Sequence, residues 1–295
     1  MAPLAERRDS ITSRIAGAAA VFCLVTATLH GLPQFSSGVS VVEVYVTVTD
    51  DKGEPIQGLQ ASDFQLQEDG TTQTIGVFTA GDFPLNAALA LDRSFSMAGE
   101  RLEATKKAAH TFIDELRPSD RVRIVRIGSE FETEEARTAQ HAAIDRIDAW
   151  GTTALHDSII QSLDLIEQDG PARGRHALLL FSDGVDRYSK STAGDVLKRA
   201  RGANVIVYPI AIGRERPQLF AELASITGGR SLHLRDARGI QEAVKGIARE
   251  LRYQYLVGYT PTRPLTADRG EWRSITVKVN RPRARVRARD GYLVK

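Results

Sequence analysis

Leu85-Asn86-Ala87-Ala88-Leu89-Ala90-Leu91-Asp92-Arg93-Ser94-Phe95-Ser96 is the stretch on which the reading of the fold turns. Residues 85–91 form a nearly unbroken apolar run, the pattern of a strand covered on both faces of a parallel sheet. The run stops at Asp92 and a loop rich in polar side chains follows. Beyond it, Leu102, Ala109, Phe112, Ile113 and Leu116 recur at helical spacing until Pro118 ends the helix. A buried strand, a loop at its carboxyl end and an amphipathic helix make up the repeating unit of a doubly wound α/β sheet.

The unit repeats downstream. Strands are predicted at 122–127, 177–181, 205–212 and 231–234. Helices are predicted around Leu155, Ile159, Leu163 and Ile166, at 196–200, at 219–226, and around Ile240, Val244, Ile247 and Leu251, the last with Asp236 placed to cap it. The α/β domain therefore spans 84–252. Outside it the signals are those of β structure: 41–49 is dense in β-branched residues, 64–67 alternates, and 74–78 resumes after the Glu68-Asp69-Gly70 turn. Beyond Arg252, further strands are predicted at 255–259, 272–279 and 284–289. Neither flank is large enough to bury a core alone. The economical solution packs 36–80 against 253–295. The fold class is then α/β, a doubly wound, mainly parallel, Rossmann-like sheet inserted in a small discontinuous antiparallel β-sandwich.

Composition sets broad limits. The 295 residues are 42% hydrophobic and 26% charged, as in an ordinary folded chain. The net charge of +2 offers no global field for nucleic acid or a membrane surface. At the N-terminus, Arg7, Arg8 and Arg14 precede an uncharged, Ala-, Val- and Leu-rich stretch at 15–29. That is the layout of a signal peptide or of an N-terminal anchor within residues 1–30, with a small-residue cleavage pattern ending at Ala27. The run falls short of the roughly 20 residues of a comfortable membrane span, which favours cleavage. Both readings place the protein outside the cytoplasm, secreted or in the periplasm or cell envelope. The single cysteine, Cys23, lies in that run without the neighbours of a lipid-anchor signal, so a cleaved chain would carry no disulfide.

Three polar loops fall where an open α/β sheet places its ligands. Asp92-Arg93-Ser94-Phe95-Ser96 follows one buried strand, Gly151-Thr152-Thr153-Ala154-Leu155 precedes a helix, and Ser182-Asp183-Gly184 follows a second buried strand. Each alone reads equally well as a turn or a helix cap. Together they offer hydroxyls from Ser94, Ser96 and Thr153 and carboxylates from Asp92 and Asp183. That all-oxygen set suits Mg²⁺, a hard ion with about six ligands that gives up water reluctantly. Neutral hydroxyl ligands would leave the ion electrophilic, so an open position would favour a partner's carboxylate.

On these motifs the chain resembles a von Willebrand factor A domain with its metal-ion-dependent adhesion site. The resemblance covers roughly 84–252 and maps the family's D-x-S-x-S onto Asp92, Ser94 and Ser96, its Thr onto Thr153 and its third-loop Asp onto Asp183. Thr153 is preferred to Thr152 because Thr-Ala-Leu fits the family spacing better. Many members have Gly where Phe95 stands, so the first loop is expected to differ in shape. The flanks resemble bacterial proteins of this kind more loosely. The resemblance implies a protein-binding module of adhesion type, dependent on Mg²⁺ or Mn²⁺ and completed by an acidic side chain of a protein partner, and not an enzyme. The alternative is a structural or assembly platform whose metal is incidental or absent. A metal-dependent hydrolase is disfavoured, because the loop lacks a second Asp two residues after Asp92 and no general base stands out.

Other residues have ordinary roles beside the functional ones. Phe95 and Trp150 flank the loops as a candidate apolar rim, with packing the default for Trp150. Asp186 and Glu130 could modulate a metal, with solvation the default. Arg281, Arg283, Arg285, Arg287 and Arg289 alternate, which on a strand aligns five guanidinium groups on one face, either a stripe for an anionic surface or polymer or, as the default, a solvated face that protects a sheet edge. His110, His141, His156, His176 and His233 show no zinc-type or catalytic spacing. His156 lies close to Thr153 in sequence, which allows a catalytic Ser-His arrangement with Ser94 or Ser96, with a helix-surface residue the default.

Overall fold

The computed structural model describes residues 41–81, 83–128, 137–169, 174–235, 239–265 and 270–294. The expectations for residues 1–30, Cys23, Glu130 and Asp236 lie outside these residues. All the described residues fall within one of the chain's compact units. No helix among the described residues is long and apolar enough to cross a membrane.

Five strands make the central sheet: β5 (Leu85–Asp92), β6 (Arg121–Ile127), β7 (Arg175–Ser182), β8 (Ile206–Ile212) and β9 (Leu232–Leu234). All pairings are parallel, in the order β6-β5-β7-β8-β9. The helices are α1 (Glu100–Glu115), α2 (Arg137–Asp145), α3 (Leu155–Asp169), α4 (Ala193–Gly202), α5 (Gln218–Thr227) and α6 (Ile240–Arg252). Double winding shows in the strand alternation. Ala87, Leu89 and Leu91 pack with Phe112, Val244 and Ile247 of α1 and α6. Ala88 and Ala90 pack on the other side with Ile159, Val196 and Phe220 of α3, α4 and α5. β5, β7 and β8 are buried along their whole length, which is why their sequences read as runs and not as alternation.

The flanking segments build two antiparallel four-stranded sheets. β1 (Val42–Thr49), β2 (Phe64–Glu68), β3 (Thr71–Gln73) and β4 (Ile75–Ala80) come from the N-terminal side. β10 (Tyr255–Tyr259), β11 (Trp272–Val279), β12 (Arg285–Arg287) and β13 (Gly291–Leu293) come from the C-terminal side. The orders are β12-β1-β10-β4 and β13-β11-β2-β3, so each sheet mixes both ends of the chain. Val44, Val46, Leu66, Tyr255, Val257 and Ile275 share their core. The α/β part is thus inserted between the two halves of a sandwich.

The structure corrects several details. Residues 71–80 form two strands in different sheets, with Thr74 the single residue between them. α2 and β13 are short and weakly patterned, and they were not expected. The arginine stripe is not one solvated face. Arg283 takes a left-handed φ of 60° that interrupts the alternation. Arg287 instead reaches Glu250 on α6 at 2.6 Å, and Arg289 reaches Asn204 at 3.1 Å. β12 does lie at a sheet edge, where Arg281, Arg283 and Arg285 are exposed.

Candidate functional site

The first two candidate loops are linked to each other and each is linked to the third. Asp92, at the end of β5, is completely buried. One carboxylate oxygen accepts the Ser94 backbone N–H at 2.9 Å and the other accepts the Ser182 hydroxyl at 2.5 Å. Ser182 in turn accepts the Gly184 N–H at 3.0 Å. Burial pushes the Asp92 carboxyl up from its ordinary value, bonds from Ser182 and Ser94 oppose the rise, and the charge of Asp183 adds to it. The Ser94 and Ser96 hydroxyl oxygens lie 3.1 Å apart, Ser94 buried and Ser96 exposed.

The second loop joins the first through backbone bonds from Trp150 N–H to the Arg93 carbonyl (2.7 Å) and from Phe95 N–H to the Gly151 carbonyl (3.3 Å). It joins the third through the Thr153 carbonyl, which accepts N–H groups of Arg187 and Tyr188 at 3.1 and 3.3 Å. Thr153 is buried whereas Thr152 is exposed. Asp183 is half-buried and accepts the Val185 N–H at 3.1 Å. Gly184 adopts φ 81°, and a Cβ there would lie 2.0 Å from Cγ of Pro217, so the third loop packs against the start of α5.

Asp92, Ser94 and Ser96 are therefore in direct contact, and Asp183 is close enough for its charge to act on Asp92. Thr153 is buried in the adjoining loop, tied by its carbonyl and not by a side-chain bond to these groups. Among the described residues, no three His, Cys, Asp or Glu side chains form a metal cluster. An ion here would need hydroxyl oxygens as well as carboxylates. Ser182 was missed from sequence, since it continues the β7 run and nothing local marks it as a partner of Asp92.

Asp186 is not a solvated bystander. Its carboxylate accepts N–H groups of Leu155 (2.8 Å) and His156 (3.3 Å) at the start of α3, and the Ser189 hydroxyl at 2.5 Å. It caps α3 from the third loop, where an acidic group also complements the helix dipole. Asp157 returns the tie by accepting N–H groups of Lys190 and Ser191, both at 2.9 Å. The Ser191 hydroxyl first, then these two N–H bonds, hold its carboxyl below the usual range against desolvation. His156 turns Nδ1 to the Ser191 carbonyl at 3.1 Å. Trp150 is 55% exposed, contrary to the packing expected, with the Arg93 guanidinium 5.4 Å from its ring centroid. Phe95 is 65% exposed. Away from the loops, His110 and His141 stack with Nδ1 atoms 2.6 Å apart, each beside a carboxylate, Asp145 or Asp114. Their separation of 31 residues hid that pair.

Comparison with known proteins agrees with this architecture. A structure of a von Willebrand factor type A protein from Catenulispora acidiphila superposes with a TM-score of 0.52. It covers 78% of this chain and 73% of that one at 15% identity, a likeness of fold. An uncharacterized Synechocystis protein, sll0103, is 33% identical over 111 residues, 36% of this chain and 26% of that protein. The bovine inter-alpha-trypsin inhibitor heavy chain H1 is 23% identical over 158 residues, 48% of this chain and 17% of that protein. The chain thus spans about a quarter or less of the length of these curated relatives. The family model of the von Willebrand factor type A domain matches residues 86–246, more than half of the chain, and the protein belongs to that family.

Proposed function

We propose that the protein is a divalent-metal-dependent binding module acting at the cell envelope or in secreted form, and that it is a binder and not a catalyst. Domains of this family are commonly metal-dependent protein-interaction modules. The observation that carries the finer reading is the fully buried Asp92, whose charged form burial disfavours, set beside two hydroxyls 3.1 Å apart and near a second carboxylate. A buried carboxylate with few compensating groups is costly unless a cation answers it. The donor set is all oxygen and mixes two carboxylates with neutral hydroxyls, which fits Mg²⁺ or Mn²⁺. Asp92, Ser94, Ser96, Thr153 and Asp183 would hold the ion. When bound, it would supply a positive anchor for an acidic side chain of a protein partner. Ser94 and Ser96 face each other, and His156 is engaged at the Ser191 carbonyl, which favours binding over nucleophilic catalysis.

In this reading the α/β domain of 84–252 is the binding head. The sandwich of 36–80 with 253–295 is its platform, and residues 1–30 direct export or tether the chain. The test is calorimetric titration of Mg²⁺, and separately Mn²⁺, into the purified protein beside Asp92→Ala and Asp183→Ala variants of unchanged circular dichroism. Saturable one-site binding lost in both variants is expected. A partner complex that forms equally well in chelator would sink the metal-dependent reading.

A further inference from the structure

The loops around the candidate site carry a second feature. Among the described residues five large hydrophobic side chains are exposed, and the three aromatic ones are Phe95, Trp150 and Tyr188, at 65%, 55% and 64%. One comes from each of the three site loops. Their backbones are hydrogen-bonded within the site itself: Phe95 N–H to Gly151, Trp150 N–H to Arg93, Tyr188 N–H to Thr153. Their positions are therefore fixed by the same bonds that fix the metal-ligand candidates, while their rings face solvent. Exposing three aromatic rings on rigid backbone costs hydrophobic free energy that packing elsewhere would recover. Aromatic side chains with few rotatable bonds are the residue type that dominates binding hot spots.

Three arginines lie at the same rim, beside the carboxylates of Asp92, Asp183 and Asp186. Arg93 lies over the Trp150 ring. Arg101 donates to the Ser96 carbonyl at 3.0 Å. Arg187 is exposed. None of the three has a carboxylate partner among the described residues. Unpaired guanidinium groups beside aromatic faces complement a ligand that is both acidic and apolar.

We infer that Phe95, Trp150 and Tyr188 form an aromatic collar that selects, among acidic protein segments, those whose acidic residue is flanked by aromatic or aliphatic side chains. The inference rests on the proposed metal-dependent reading, since the acidic residue is the one the ion would anchor. The collar supplies the apolar contacts on either side of it, and the arginines supply the bias toward anionic segments.

The experiment is selection of a random peptide library on the full-length protein in Mg²⁺. Enriched peptides are then measured against wild type, Asp92→Ala, the triple variant Phe95→Ser/Trp150→Ser/Tyr188→Ser, and wild type in EDTA. The three rings are exposed, so the triple variant keeps its core, and an unchanged melting temperature verifies that. Enriched sequences should hold Asp or Glu next to an apolar residue and weaken about tenfold or more in the triple variant. They should be lost in Asp92→Ala and in EDTA. Acidic peptides without apolar neighbours, lost in Asp92→Ala but unaffected in the triple variant, overturn the collar and leave the metal reading standing. Peptides lost only in the triple variant, and indifferent to EDTA, overturn the metal reading and with it this inference. Failure of any peptide to enrich over the Asp92→Ala background overturns the collar as a recognition surface.

Discussion

Replacing Glu68 by Gln tests how the two ends of the chain are held together. Glu68 ends β2 and is 3% exposed, and its partner Arg273 on β11 is 0% exposed. Arg273 Nη1 donates to one carboxylate oxygen at 3.2 Å. The hydroxyls of Tyr259 on β10 and Tyr292 on β13 donate to the other at 2.7 and 2.8 Å. These four strands lie in both sheets and on both sides of the inserted domain. Gln keeps the shape and removes the charge. Breaking a buried ion pair by removing one partner costs about 3–5 kcal/mol. Arg273 also donates to the carbonyls of Arg263 (2.8 Å) and Pro264 (2.9 Å), which places the loss near the lower end. At about 2–4 °C per kcal/mol for a unit of this size, a loss of about 3 kcal/mol lowers the melting temperature by about 6–12 °C. Tyr259→Phe removes one charge-assisted bond, worth about 1.5–3 kcal/mol. The two tyrosines share one oxygen, so the two Tyr→Phe changes should not add. Calorimetry of wild type, Glu68→Gln, both Tyr→Phe variants and their double variant measures this. Unfolding should remain a single transition, because α6 runs almost directly into β10 and Glu250 of α6 grips Arg287 of β12. A Glu68→Gln melt within about 1 kcal/mol of wild type refutes the clamp. An early, separate transition refutes the single cooperative unit.

Three further outcomes follow from the same contacts. Asp186→Ala removes the cap of α3 and should cost about 0.5–2 kcal/mol in denaturant midpoint, while Asp186→Asn should recover part of it. Gly184→Ala combines a φ of 81° with a Cβ 2.0 Å from Pro217. It should cost about 1–3 kcal/mol by strain and overpacking, and in chemical denaturation a near-neutral result would show that the loop moves off α5 freely. Burial, and then the bond to Glu68, push the Tyr292 hydroxyl up to about 12. A folded value above the unfolded one means that this contribution is whole below about pH 10 and is lost as pH rises through 12. Stability measured from pH 9 upward should therefore fall, and fall less steeply in Tyr292→Phe.

The parts of the fold that were readable in the sequence are those that depend on one element's own pattern. The runs of β5, β7 and β8 are apolar because helices cover both faces, so each announced itself without help from its neighbours. The insertion was readable for a different reason, because neither β flank could bury a core alone. The errors have a common cause. Trp150 reads from its type as a core residue, and only the loop geometry leaves it exposed. Arg287 and Arg289 read as a continuation of an alternating stripe, and only Glu250 and Asn204, 37 and 85 residues away, pull them out of it. Asp186 caps a helix that begins 31 residues earlier. Long-range partners of single polar side chains leave no periodic trace.

That limit bears directly on the candidate site. A site made of cysteines and histidines declares itself by ligand spacing, whereas one made of Asp, Ser and Thr is locally identical to a set of turns and caps. Its signal lies only in conjunction: three such loops, each next to an end of a buried strand or helix, with their order fixed by the winding of the sheet. The structure adds the physical reason for that conjunction. Asp92 is buried because it ends a central strand covered on both faces, and its charge is tolerable there only if something polar converges on it. The Ser182 hydroxyl and the Ser94 N–H do part of this, yet burial still raises the carboxyl, and Asp183 adds repulsion. In the proposed reading, a cation held by these residues would offset both penalties at once. The loop ties through Gly151, Thr153 and Asp186 would then hold the hydroxyls in place before the ion arrives. On this argument Asp186→Ala, which removes none of the proposed metal ligands, should weaken Mg²⁺ binding through lost preorganisation while Asp186→Asn restores it. Equal affinity in wild type and Asp186→Ala would show that the loops are rigid without the cap.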